Sequence, residues 1–194
     1  MSDSLRERTI SGMLWSFMQK FGTMAIAFVA NIVLARLLTP DDYGCIGMLL
    51  IFIAVANTFI DGGFGSALIQ KKEPTQEDYS TIFYWNLFLS IVLYGILFFT
   101  APFIADFYEI SLLTPVLRVQ GGVLILNALS IIQCNQLRKQ LRFRSIASVN
   151  LTASLLSVVI TIVLAWIGWG IWALVAQQLL FSLFNAILFW SFNK

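Results

Sequence analysis

Histidine is absent from these 194 residues, cysteine occurs twice, and charged residues make up only 11% of the chain. Each shortage removes a class of chemistry. Without histidine there is no Ser-His-Asp triad and no H-E-x-x-H zinc site. Nor is there a side chain whose ordinary pKa suits proton transfer near neutrality. Cys45 and Cys134 form neither a C-x-x-C motif nor a disulfide framework. No G-x-x-x-x-G-K-[ST] loop and no G-x-S-x-G elbow occurs, so phosphate cradling and acyl transfer of those kinds have no footing. The expectation is a protein that is not an enzyme and needs neither cofactor nor metal. Soluble domains carry about 25% charge, so the charge content also argues against a water-soluble fold.

Apolar residues fill the space that charge leaves: 59% of the chain is hydrophobic, with a mean hydropathy of +0.84. They fall into six blocks near residues 10–37, 43–69, 81–104, 112–137, 146–167 and 171–192. Each meets the roughly 20 residues that a helix needs to cross hydrocarbon. Open sheets leave edge N–H and C=O groups unbonded in lipid, so helices are the expected form. The predicted class is all-α: a polytopic membrane protein whose residues 10–194 make one six-helix lobe, preceded by a cytoplasmic segment, 1–9. Small-x-small Ala25-Ile26-Ala27 lies inside an unbroken apolar block containing Lys20, so an uncleaved first helix is expected.

Basic residues occupy alternate gaps. Arg6 and Arg8 precede the first block, Lys71 and Lys72 follow the second, and Arg138, Lys139, Arg142 and Arg144 follow the fourth; Lys194 ends the chain. The remaining gaps hold Asp41 and Asp42, then Asp106 and Glu109, then Gly168-Trp169-Gly170. Lys and Arg resist translocation, which places the first set and both chain ends in the cytoplasm. Indole rings favour the headgroup region, and this threading puts Trp15, Trp85 and Trp190 at inner helix ends and Trp166, Trp169 and Trp172 around an outer turn. It also separates Cys45 and Cys134 in depth, beyond disulfide reach.

Helix starts are marked too. Thr39-Pro40-Asp41-Asp42 reads as an N-cap followed by proline at the first helical position. Thr75 and Asp78 have capping-box spacing, as do Ser4 and Glu7, which suggests a short interfacial helix over residues 4–9. Arg138–Ser145 reads as an anchor to anionic headgroups rather than a nucleic-acid patch.

Polar groups within the apolar blocks are the candidate site, because a mid-bilayer charge costs about 2.5–3.5 kcal/mol and must face a partner or water. Lys20 and Asp61 come to similar depth, roughly 18 Å and 15 Å from the inner boundary at ~1.5 Å per residue, so an ion pair between them and contact with substrate both stay open. Asn57 and Asp61 share a helical face, as do Lys20, Thr23, Ala27 and Asn31. Gln120 and Asn127 are one heptad apart, and Gln178 and Asn185 repeat the spacing. Such faces meet other helices or line a wet space. Asn150, Ser154, Ser157 and Thr161 form a small-residue stripe suited to close helix packing. Arg36 and Arg118, near outer helix ends, either snorkel and pair with acids or offer planar forks to phosphate.

The segments G-M-L-W-S (12–16), L-A-R-L-L-T-P-D-D-Y-G (34–44), F-I-D-G-G-F-G-S-A-L-I-Q-K-K (59–72) and P-T-Q-E-D-Y-S-T-I-F-Y-W-N (74–86) stand in order. Together they resemble the Wzx-type polysaccharide flippases of the teichuronic acid and colanic acid exporter kind, in the multidrug/oligosaccharidyl-lipid/polysaccharide exporter superfamily. The resemblance implies a bacterial inner-membrane transporter of undecaprenyl-diphosphate-linked oligosaccharide, built from two six-helix lobes around a cavity. Lys20, Arg36 and Arg118 are then candidates to hold the lipid diphosphate, and Asn31, Asn57, Asp61, Gln120 and Asn127 to line the path. At this length the chain supplies one lobe, so the implied partners are the lipid-linked substrate, membrane lipids, and a C-terminal lobe or second copy. Alternatives are a multidrug exporter of the same superfamily and an inactive membrane fragment or scaffold.

Overall fold

The computed structural model describes residues 2–62, 68 and 75–192, with side chains from residue 10 onward. The expectations placed on Ser4, Arg6, Glu7, Arg8, Lys71, Lys72 and Lys194 fall on side chains outside this range. Among the described residues there are seven helices and no strand: α1 (Ser2–Leu37), α2 (Pro40–Asp61), α3 (Gln76–Phe107), α4 (Leu113–Gln120), α5 (Gly122–Lys139), α6 (Phe143–Trp166) and α7 (Ile171–Phe192). Six spans are long and apolar enough to cross a membrane, with α4 and α5 together making the fourth, Leu113–Lys139. The protein is thus an all-α bundle with six candidate membrane spans.

The helix boundaries follow local chemistry. Thr39 caps α2: its hydroxyl accepts from the Asp42 N–H at 3.3 Å while Asp42 Oδ2 accepts from the Thr39 N–H at 3.0 Å. Thr75 and Asp78 make the same reciprocal pair at the start of α3. Both capping boxes satisfy N–H groups that a helix leaves without intrahelical partners. The α2 helix stops at Asp61, earlier than its apolar block suggests, because Gly62 takes a left-handed conformation (φ 42°) that closes it. Residues 2–9 continue α1 without a break, giving a helix of 36 residues. At ~1.5 Å per residue that is about 54 Å, longer than the hydrocarbon layer is thick.

The fourth block is divided into α4 and α5 at Gly121, whose backbone stays right-handed and whose N–H still bonds to the Leu117 carbonyl at 2.8 Å. A Cβ at Gly121 would meet the Tyr94 ring of α3 at 2.9 Å, so the glycine permits a close crossing there. Three helix ends close with one hydrogen-bond pattern, in which the residue just past the left-handed position bonds back five residues. The pairs are Ile110 to Ala105, Arg142 to Leu137 and Trp169 to Leu164. The left-handed residues are Glu109, Leu141 and Gly168.

Packing fixes the order of helices. α1 lies along α6, α6 along α7, and α7 along α5; α3 covers α4 and α5, and α2 rests on α3 and α7. A Cβ at Gly12 would meet Phe143 at 2.6 Å, and one at Gly22 would meet Leu151 at 2.7 Å. Residue numbers rise together along this seam, so α1 and α6 run parallel, as alternate threading requires of the first and fifth spans. The start of α1 therefore lies beside Phe143, and the end of α7 lies there too, since Phe189 clusters with Leu137, Ile146 and Val149. We call this the basic end, for Arg138, Lys139, Arg142 and Arg144. Asp41 and Asp42 lie at the opposite end, where Gly170 approaches the Asp42 carboxylate.

The main core holds Leu34, Leu38, Leu49, Leu117, Leu124 and Val175. In lipid such contacts stabilise through dispersion and fit rather than expulsion of water. Phe99, Phe103 and Phe107 form an exposed stripe on α3, the face expected to meet acyl chains. The Ser154–Thr161 stripe is buried, and its hydroxyls bond within their own helix: Ser157 to the Ser154 carbonyl and Thr161 to the Ser157 carbonyl, at 2.9 and 2.8 Å. These three residues serve close packing, as the sequence suggested, whereas Asn150, the fourth member of that stripe, faces an open cleft.

Candidate functional site

Toward the basic end α1 and α2 diverge, and an open cleft of ≈ 790 Å³ lies between them. α1 contributes Gln19, and α2 contributes Asn57, Thr58 and Asp61. The floor is α5 with Asn127, Asn135 and Arg138, beside Asn150 of α6 and Asn185 of α7. Six carboxamides thus converge with one carboxylate and one guanidinium. Groups of this kind cannot be left facing hydrocarbon unbonded.

Asn127 is the centre of the network. Its Nδ2 donates to Asn57 Oδ1 at 3.2 Å, and its Oδ1 accepts from Ser182 Oγ at 2.9 Å. These two bonds tie α5 to α2 and to α7. Nearer the acidic end, Gln120 Nε2 donates to Gln178 Oε1 at 2.8 Å, so the first members of the two heptad-spaced pairs meet, whereas Asn127 bonds to Asn57 and Ser182 rather than to Asn185. Asn150 turns its amide back to the Ile146 carbonyl at 2.9 Å. Asn185 is buried, and its Oδ1 has no hydrogen-bond partner among the described residues. A carbonyl oxygen so placed at a cleft wall can accept from a hydroxyl. Neutral amides donate and accept without demanding counter-charge, which suits a polyhydroxyl ligand.

Of the residues singled out from sequence, Asn57, Asp61 and Asn127 are brought together here. Gln120 is fully buried and paired with Gln178 away from the cleft. Lys20 is exposed, one residue past the cleft-lining Gln19, and makes no ion pair with Asp61. Asn31 and Arg36 lie exposed further along α1. Arg118 is committed elsewhere: its Nε donates to the Phe98 carbonyl at 3.3 Å, and its guanidinium carbon sits 4.4 Å from the Phe98 ring centroid. The three basic candidates therefore do not converge. Sequence reasoning did not single out Gln19 or Asn135, read Arg138 as a headgroup anchor, and left Asn185 either to meet another helix or to line a wet space. For Asn135 and Arg138 the signal was present, because positions 127, 135 and 138 share one face of a helix.

The fold and an amide-lined intramembrane cleft define a polytopic membrane protein with a polar path in its helix bundle. Residues 33–194 match the family described as "Polysaccharide biosynthesis protein", and the chain belongs to it. It is 26% identical to the teichuronic acid biosynthesis protein TuaB of Bacillus subtilis over 97% of this chain and 39% of that protein. It is 30% identical to the lipopolysaccharide biosynthesis protein WzxC of Escherichia coli, over 94% of this chain and 36% of that one. The succinoglycan biosynthesis transport protein ExoT of Rhizobium meliloti is 28% identical over 84% of this chain and 33% of its own. The chain thus spans well under half the length of these curated relatives. No solved structure matches it.

Proposed function

We propose that this chain is one lobe of an exporter that flips a lipid-linked oligosaccharide across the bacterial inner membrane for surface polysaccharide synthesis. Both chain ends then lie in the cytoplasm, and the cleft opens toward the leaflet where the cargo is made. The observation that carries this reading is the convergence of six carboxamides on one cleft inside a bundle of membrane-spanning helices. Asn57, Asn127 and Asn185 contact sugar hydroxyls, and Arg138 at the mouth meets the diphosphate. Asp61 is the one cleft-lining carboxylate among the described residues, and the chemistry favours a hydroxylated cargo over the cationic drugs of a multidrug exporter. Lys20 borders the same mouth beside Gln19. The protein catalyses movement and makes or breaks no covalent bond.

A second reading, a non-transporting membrane scaffold, draws on the length comparison: a single lobe leaves the cleft without an opposing wall. Expression of the reading frame that carries this chain, in a strain lacking its lipid-linked oligosaccharide exporter, tests the proposal. Surface glycan should return with the natural sequence. The Asn57→Leu/Asn127→Leu variant should lower it by on the order of tenfold, since each lost hydrogen-bonding amide is worth ~0.5–1.5 kcal/mol. Undiminished glycan in that variant would remove the cleft from the transport path.

A further inference from the structure

A second recess, of ≈ 390 Å³, lies at the basic end between α1 and the turn joining α5 to α6, and it shares no residue with the amide-lined cleft. We propose that it is a headgroup site for an anionic phospholipid of the surrounding bilayer, independent of the cargo. Its polar wall is Arg142, Arg144 and the Ser11 hydroxyl, and no carboxylate lines it among the described residues. Two guanidinium forks and a hydroxyl match the oxygens of a phosphodiester. The Arg144 guanidinium carbon lies 5.3 Å from the Trp15 ring centroid, which holds the cation over the indole face rather than leaving it to sweep through solvent. The apolar side is built as firmly: Phe143 is wedged against Gly12, where even a Cβ would clash.

The backbone adds an independent sign. Leu141 lines the recess and sits at φ 56°, a left-handed conformation that costs a non-glycine residue energy. The corresponding turn after α6 uses glycine, Gly168, in the same role. At Leu141 the strained residue is instead a large apolar one, 40% exposed at the rim. Strain of this kind persists where a side chain is put to use, and here the leucine offers a surface to glycerol and the first methylenes. Depth fits as well, because Trp15 and Trp190 lie at this end of the bundle, and indoles favour the headgroup layer.

The test uses the full chain, purified in mixed micelles of phosphatidylglycerol and phosphatidylcholine and examined by native mass spectrometry. The natural sequence should retain phosphatidylglycerol preferentially. Arg142→Ala/Arg144→Ala should lower that preference by on the order of tenfold, as loss of two headgroup-facing cations implies. Equal retention in the double variant overturns the site. Should that variant fail to fold, Trp15→Leu and Leu141→Gly replace it, the latter relieving the strained backbone. Each should lower the preference several-fold, and undiminished preference in both overturns the proposal. Displacement of the bound lipid by undecaprenyl diphosphate, but not by cardiolipin, overturns the phospholipid assignment and gives the recess to the cargo.

Discussion

Arg118 donates from Nε to the carbonyl of Phe98, the acceptor that Pro102 leaves without its helical partner. Proline has no N–H to return to the residue four before it, and in lipid no water is at hand to replace that bond. The arginine of α4 thus repairs a defect in α3 and lays its guanidinium on the same residue's ring. Arg118→Leu should destabilise the bundle by about 1–3 kcal/mol, read as a lowered unfolding midpoint in micelles. Pro102→Ala restores an N–H at position 102, so the Arg118→Leu cost should shrink in that background. A double-mutant cycle showing strictly additive losses would refute the repair.

The seam between α1 and α6 depends on two glycines. Gly22→Val places branched carbons where Leu151 already stands, 2.7 Å from the nearest Cβ position. Overpacking of this kind costs about 1–3 kcal/mol. Because Leu151 presents the tip of a flexible side chain, Gly22→Ala/Leu151→Ala should recover most of the loss. Thermal midpoints of the two variants in detergent decide the point; no recovery would mean that the helices do not approach there.

Asn127 bonds to both α2 and α7, so its removal should loosen two helix pairs at once. Intramembrane side-chain hydrogen bonds average about 0.6 kcal/mol. Asn127→Leu should therefore cost more than Asn57→Leu, which severs one of the two links. Equilibrium unfolding of the single and double variants measures the coupling, and a larger loss at Asn57 than at Asn127 would contradict this arrangement.

Cys134 lines the open cleft, while Cys45 is buried near the other end of the bundle. In a Cys45→Ser background a charged, impermeant thiol reagent should label Cys134 from the cytoplasmic side alone. Reporter domains fused to the two chain ends should both be active in the cytoplasm. Labelling from the periplasm, or reporters active on opposite sides, would break the proposed threading.

Much of this architecture was legible in the residues. Six apolar blocks gave six spans, and the threonine–aspartate spacings at 39–42 and 75–78 became two capping boxes with the expected bonds. Of the heptad-spaced amides, Gln120 and Gln178 found one another, because polar groups in hydrocarbon have few other places to go, while Asn127 turned to Asn57 and Ser182. Hydropathy could not show the division at Gly121, since a divided span is as apolar as a continuous one. Nor could it show that α2 stops at Asp61: the apolar run goes on, and a single left-handed glycine ends the helix. For Arg118 the sequence left open snorkelling, pairing with acids or a phosphate fork, because its partner is a backbone carbonyl, which no side-chain pattern reports. The divergence of α1 from α2 arises from which helices α1 abuts, a property of the assembled bundle rather than of any one segment.

Among the described residues α1 adheres for most of its length to a single neighbour, and it joins the main interior only near Leu34 and Leu38. Mechanically this makes α1 a strut pinned at its far end, hung on an otherwise self-supporting block. Swinging it about that pin would change the aperture beside Asp61 while leaving the interior around Leu49, Leu117 and Val175 undisturbed. Motion at the mouth therefore draws on the compliance of one seam and not on the stability of the whole.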